Sequence, residues 1–269
     1  MSNKYVIYKG SGGLIHMLNG ISYCADWCIK NNYILLIDVI NHKAFQRKFS
    51  DYFYLNNISY IEDYNILPTN LPCFKNLSID TIKNSQPIFK IINRCRSYWI
   101  KDINVSQDLN NYTDILKVYC GSGGNMNNLT TKYIRVNKTI KLSKYIRYKE
   151  EYIGVHFRNT DRRNSIKLFI KEIQKYDIKK IYLATDDCHA LKIFIKELPE
   201  YELSTYTTPI DANGKCIHFN HNDQDKLITN LLIDMYVLLK CNEFILSPNS
   251  LISKLLLYMR KTNESIFNI

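Results

Sequence analysis

Three segments of this chain carry reactive or ligand-binding side chains at the ends of apolar runs. In Gly154-Val155-His156-Phe157-Arg158-Asn159-Thr160-Asp161-Arg162-Arg163, a strand pattern runs into a cluster of His, Arg and Asp. His156 and Arg158 alternate with Val155 and Phe157, so the two polar side chains share one face of the strand. A guanidinium at that point can grip phosphate oxygens through two parallel N–H bonds. The plainer reading is a solvated loop with a local Arg–Asp pair. In Leu183-Ala184-Thr185-Asp186-Asp187 a second strand ends in two carboxylates. One can cap a helix beginning near Cys188; the other is spare and can accept hydrogen bonds from a base or a ribose.

The third segment runs from Asp225 to Ser253. Leu227, Leu231, Asp234 and Leu238 fall within about 60° of one another on a helix, which puts Asp234 on the apolar stripe. A buried charge needs a partner, and an arginine after Tyr152 is the natural candidate. Ser247-Pro248-Asn249-Ser250 then joins a strand to a helix, whose first N–H groups and adjacent hydroxyls suit a phosphate as well as an ordinary cap. Near the amino terminus, Gly10-Ser11-Gly12-Gly13 lacks both the Walker spacing and the full dinucleotide fingerprint. It reads as a close-approach turn, with His16 either facing what the turn admits or serving the structure.

These residues need a frame to position them. Lys4–Lys9 reads as a strand, and Leu14, Met17, Leu18, Ile21, Ala25 and Cys28 have helical spacing. Tyr33–Asp38 is a buried strand, which completes a βαβ unit and favours a parallel sheet. Strands are expected near Ile58–Ile61, Phe89–Ile92 and Leu116–Cys120. From Tyr152 the alternation is regular: strands Tyr152–Arg158, Lys180–Thr185, Tyr201–Tyr206 and Glu243–Leu246, with helices near 164–175 and over Cys188–Leu198, Asp225–Cys241 and Asn249–Arg260. The fold class is α/β, two Rossmann-like domains over residues 1–148 and 149–269, with a cleft between them where ligands of such folds bind.

Composition sets outer bounds. The 269 residues carry 36 basic against 25 acidic side chains, a formal charge of +11. This suits general solubility or a positive cleft for anions. A nucleic-acid binder would show a continuous basic stripe with interleaved aromatics; here the basic residues are spread through the chain, so nucleic acid is the lesser alternative. The eight cysteines form no CxxC pair, and Cys24 and Cys28 read as buried thiols. No apolar run approaches the roughly 20 residues of a membrane span, and no signal pattern opens the chain, so the expectation is a soluble, cytoplasmic protein.

Taken in order, the segments resemble the GDP-fucose-dependent fucosyltransferases, a group that includes α1,6-fucosyltransferases and protein O-fucosyltransferases. Gly154–Arg162 looks like their first motif, Tyr182–Asp187 like the second, and Asp234 through Ser250 has the spacing of the third. Gly12-Gly13-Leu14 is similar to the family's glycine-containing opening. The resemblance implies a GT-B architecture, an acceptor-side domain followed by a nucleotide-sugar domain, and inversion at the anomeric carbon without metal or cofactor. It implies GDP-fucose as donor and a glycan or glycoprotein as acceptor. Arg158 would hold the β-phosphate, His156 and Asp186 would contact guanosine, and Ser250 with Ser253 would lie near the phosphates. Gly12, Gly13, Arg162, Asp187, Asp234 and Asn249 complete the expected donor-binding set. Asn159 stands where many relatives have a second Arg, and Ile15-His16-Met17 replaces Gly-Asn-Gln. The base is then His16, Asp38, or no enzymic group. Another nucleotide sugar on the same scaffold, or an inactive glycan-binding relative, are the remaining readings.

Overall fold

The computed structural model describes residues 4–10, 12–42, 44–66, 88–92, 95–100, 116–119, 124–145, 150–159, 163–207, 209 and 223–268. The chain divides into two units, Met1–Lys138 with Glu264–Ile269, and Thr139–Asn263. The division falls ten residues before the expected boundary, and the last six residues return to the first unit.

The first unit opens with β1 (Tyr5–Tyr8), α1 (Leu14–Asn31) and β2 (Ile34–Ile37), the expected βαβ unit. Apolar side chains of α1 at helical spacing, Leu14, Met17, Leu18, Ile21 and Cys28, are all buried. The helix stops at Asn32, whose left-handed backbone (φ 58°) returns its N–H to the Cys28 carbonyl. A side chain at Gly20 would put a carbon 2.6 Å from the Tyr8 ring, so this helix packs close to β1 only because that position is bare. The first sheet runs β4-β2-β1-β7-β6-β5, with β4 (Tyr60–Ile61), β5 (Ile88–Ile92), β6 (Cys95–Ile100) and β7 (Leu116–Tyr119). Four of its strands are parallel; β6 and β5 are antiparallel additions at one edge, and β6 was not anticipated. A helical turn α2 (Phe49–Tyr52) leads into β3 (Phe53–Leu55), and α3 (Asn127–Tyr133) leads into β8 (Ile134–Val136). The two short strands pair as a separate antiparallel ribbon. The carboxy-terminal residues dock here: Val136 N–H donates to the Ile266 carbonyl (2.7 Å), and Ile266 and Phe267 are buried.

The second unit is a fully parallel sheet. Its elements alternate as β9 (Ile153–Phe157), α4 (Ile166–Ile173), β10 (Lys180–Thr185), α5 (Cys188–Glu197), β11 (Glu202–Ser204), α6 (Gln224–Leu239), β12 (Glu243–Leu246) and α7 (Leu251–Thr262). The spatial order is β11-β10-β9-β12. Two crossovers step outward from β9, and the third returns to its other side; constant right-handedness therefore lays α6 on the opposite face from α4 and α5. Alternation along β9 follows suit. Ile153, Val155 and Phe157 pack with Phe169 and Ile173 of α4 and Phe194 of α5. Gly154 and His156 face the other way, and a carbon added at Gly154 would lie 2.6 Å from Cys241 Sγ and 3.1 Å from Leu238. Among the described residues, no helix is long and apolar enough to cross a membrane.

Candidate functional site

The order β10-β9-β12 makes β9 and β12 the topological switch point of the second unit, where connections leave toward opposite faces and open a crevice at the carboxyl ends. The end of β9 is fastened to the end of β12. Ser247 donates from its N–H to the His156 carbonyl (2.9 Å), its Oγ donates to the same carbonyl (3.0 Å), and that Oγ accepts the Arg158 N–H (2.9 Å). Asn164 folds the following loop back, donating from Nδ2 to the Arg158 carbonyl. Arg158 thereby leaves a rigidly held backbone. Its Nε lies 3.9 Å from Asp186 Oδ2, a distance at which the attraction is electrostatic rather than a hydrogen bond.

His156 is buried on the α6–α7 face, with Nδ1 2.8 Å from Ser253 Oγ in the first turn of α7. Burial first, and the Arg158 charge second, push its pKa down to about 3. At neutral pH it is an uncharged hydrogen-bonding group. The start of α7 is unusual in what it lacks. Ser250 occupies the N-cap position, yet its side chain makes no cap bond. Its Oγ is buried (4% residue exposure) and has no hydrogen-bond partner. A buried hydroxyl without a partner is costly, and here it sits beside first-turn amides that have no side-chain cap. That is the donor set of an anion site.

The two carboxylates after β10 divide their work. Asp187 caps α5, its Oδ1 accepting the N–H of His189 (2.8 Å) and Ala190 (3.1 Å), while Oδ2 accepts Asn159 Nδ2 (2.7 Å). Asp186 is the spare one: Oδ1 accepts the Asn159 N–H (2.8 Å) and Oδ2 faces Arg158. Asn159 therefore ties the β9 loop to both carboxylates.

Asp234 has different company from that expected. Tyr182 Oη donates to its Oδ1 (2.5 Å) and Thr207 Oγ1 to its Oδ2 (3.3 Å); the expected arginine partner is replaced by two hydroxyls. The reason is position along the sheet. Tyr182 pairs with Gly154 in the middle of β10, whereas Arg158 extends beyond the end of β9 and turns to Asp186. With no cation beside it among the described residues, burial raises the Asp234 pKa to about 7 against the lowering effect of the two hydroxyl donors. The apolar stripe of α6 is also rotated: Ile228, Leu232, Met235 and Leu238 are buried, while Leu227 and Leu231 are half-buried.

In the first unit Gly10, Gly12 and Gly13 lie past the carboxyl end of β1. Gly12 has φ +102°, a conformation that disfavours any side chain, and a carbon there would lie 3.1 Å from His16 Cβ. Gly13 is the N-cap of α1 and gives its carbonyl to the Met17 N–H (3.1 Å). His16 is half-buried in the first turn. Beside it in sequence, Lys9 Nζ lies 2.5 Å from Asp38 Oδ2, with side chains only 5% and 4% exposed. Sequence reasoning missed Lys9, which looks like the last residue of an ordinary strand.

Of the expected site residues, Arg158, His156, Asp186, Asp187, Ser250 and Ser253 therefore gather at the carboxyl ends of β9, β10 and β12 or at the α7 start. Asp234 stands deeper, under β10. Asn249 is exposed in the turn before α7. Gly12, Gly13 and His16 belong to the other unit. Arg162, with Thr160 and Asp161, lies outside the described residues. Asn164, Tyr182 and Thr207 were not singled out, and Ser247 was named only as part of the turn before the last helix, not as the tie between strand ends; the strand alternation that placed His156 would have put Tyr182 on the same face.

Both units are α/β sheets whose polar groups collect at strand carboxyl ends, the edge at which doubly wound folds bind ligands. No protein-family model and no curated protein sequence matches the chain. Its fold is shared with solved fucosyltransferases. NodZ α-1,6-fucosyltransferase soaked with GDP-fucose superposes with a TM-score of 0.58 at 16% identity, covering 95% of this chain and 92% of that one. A second NodZ structure, from Bradyrhizobium, gives 0.54 at 15% identity over 95% and 93%. POFUT1 in complex with GDP gives 0.57 at 10% identity over 97% and 96% of the two chains.

Proposed function

We propose that this protein is an inverting, metal-independent GT-B glycosyltransferase that transfers fucose from GDP-fucose to a glycan or glycoprotein acceptor. The observation that carries the reading is the crevice of the second unit, where Arg158 projects from a pinned strand end beside an uncapped helix start and the partnerless Ser250 hydroxyl. Solved structures of the same fold hold GDP or GDP-fucose, which supports this donor. In the reaction the bond between the anomeric carbon and the β-phosphate oxygen breaks, and the acceptor hydroxyl oxygen bonds to that carbon from the opposite side. GDP leaves with the bonding pair, and the hydroxyl proton passes to a base.

Negative charge grows on the departing diphosphate, and fixed cationic and N–H donors lower that barrier. Arg158 supplies the cation, the α7 amides and Ser250 the remaining donors; no cofactor is required. Neutral His156, steadied by Ser253, and Asp186 contact the nucleoside, while Asp234 supports that pocket from beneath β10. For the base, His16 is the better candidate: its ring is half-buried, whereas the Asp38 carboxylate is enclosed with Lys9.

The test is GDP release from GDP-fucose with EDTA present. Turnover should persist in the chelator, and Arg158→Ala should lower it by roughly 100- to 1,000-fold without a change in melting temperature. Arg158→Lys keeps the charge but loses the planar fork and should rescue poorly. Turnover abolished by EDTA and restored by manganese, or an Arg158→Ala variant that works at the parental rate, would refute the assignment.

A further inference from the structure

We infer that the outer face of α4 and α5 is a docking surface for an anionic lipid bilayer. These two helices lie side by side on one face of the second sheet and share a core through Phe169, Ile173, Ala190 and Phe194. At 100° per residue, the positions opposite that core are Leu168, Lys171 and Lys175 on the first helix and its end, and Lys192 and Lys196 on the second. All are exposed. Lys167 flanks them on α4, and Ile193 and Ile195 flank them on α5.

Two features single out this face. The first is exposed apolar bulk: Leu168, Ile193 and Ile195 are 67%, 41% and 55% exposed, whereas among the described residues the opposite helical face of the unit shows only Leu257 at this size. The second is charge. Five lysines stand on it, while of the acidic residues on the same helices Glu172 is held by Lys175 (2.5 Å) and only Glu197 remains. Cationic side chains around isolated aliphatic ones match the headgroup region of an anionic membrane: lysines reach phosphates with their stems along the apolar surface, and leucine and isoleucine enter the acyl boundary. An ordinary protein partner would not require lysines at the centre of the patch, where interfaces are depleted of them. The surface is distinct from the donor crevice and does not depend on the proposed reaction.

The full chain is sedimented with vesicles of phosphatidylcholine alone and with vesicles that also contain phosphatidylserine. Binding should appear only with the anionic lipid and weaken with salt. Lys171→Glu with Lys192→Glu should cut the bound fraction by about tenfold or more, and Leu168→Ser with Ile195→Ser should also weaken it severalfold. Lys240→Glu, at the end of α6 on the opposite face, should bind as the parent does. Failure of the parent to bind anionic vesicles overturns the proposal. So does equal loss in Lys240→Glu, which would mean general basicity. Lysine dependence without any effect of the serine substitutions overturns it too, and would point to a polyanion such as nucleic acid as the occupant.

Discussion

Asp234 shows how far the company of one residue can depart from its helical pattern. The helical pattern places it among apolar side chains, and the cost of an unpaired charge argues for a cation. The protein instead surrounds it with Tyr182 and Thr207 hydroxyls and lets its pKa rise from 3.8 to about 7 through burial. Between those values the native state holds a proton that the unfolded chain has lost. Stability from this group is therefore full below about pH 4 and is lost as pH rises through about 7. Asp234→Asn cannot ionise, so melting curves across this window should show the parent losing ground to the variant as pH rises. Parallel curves would mean that the carboxylate is solvated and paired by something stronger than two hydroxyls.

At the scale of elements, the second unit rests on close approach of α6 and its C-terminal turn to β9. Gly154 has no room for a side chain: a carbon there meets Cys241 Sγ at 2.6 Å and Leu238 at 3.1 Å. Gly154→Ala should cost about 1–3 kcal/mol in a denaturant melt, and adding Cys241→Ala should recover part of it. No loss from Gly154→Ala would show that α6 can move outward freely. Elements of this unit were legible because each carries its own signal. The strand Lys180–Thr185 and the helix from Cys188 follow directly from apolar periodicity and the Asp187 cap. The ribbon of β3 and β8 carries no such signal. Its strands have three residues each, and Phe53 meets Val136 across more than eighty residues of chain, so only tertiary pairing makes them strands. The same holds for the site: strand-end residues such as Arg158 were visible, but Ser247 matters through its bond to the Arg158 N–H and Asn164 through its reach to Ser247 Oγ (3.3 Å), contacts between loops far apart in sequence.

At the scale of the whole molecule, two sheets each gather polar groups at their carboxyl edges, and among the described residues the second presents a cation, a neutral histidine and a partnerless hydroxyl at one switch point. The first offers a turn that needs Gly12, a half-buried His16 and the enclosed Lys9–Asp38 pair. Removing one member of such a pair leaves a buried charge behind, so substitution of either residue alone should destabilise the first unit. The central claim is that the second unit binds a guanosine diphosphate sugar. Titration of the purified protein with GDP, GDP-fucose, UDP, ADP and CMP, read as the shift in melting temperature, tests it most directly. The account predicts a clear stabilisation by GDP and GDP-fucose that is absent in Arg158→Ala and small with the other nucleotides; stabilisation by UDP with none by GDP would contradict it.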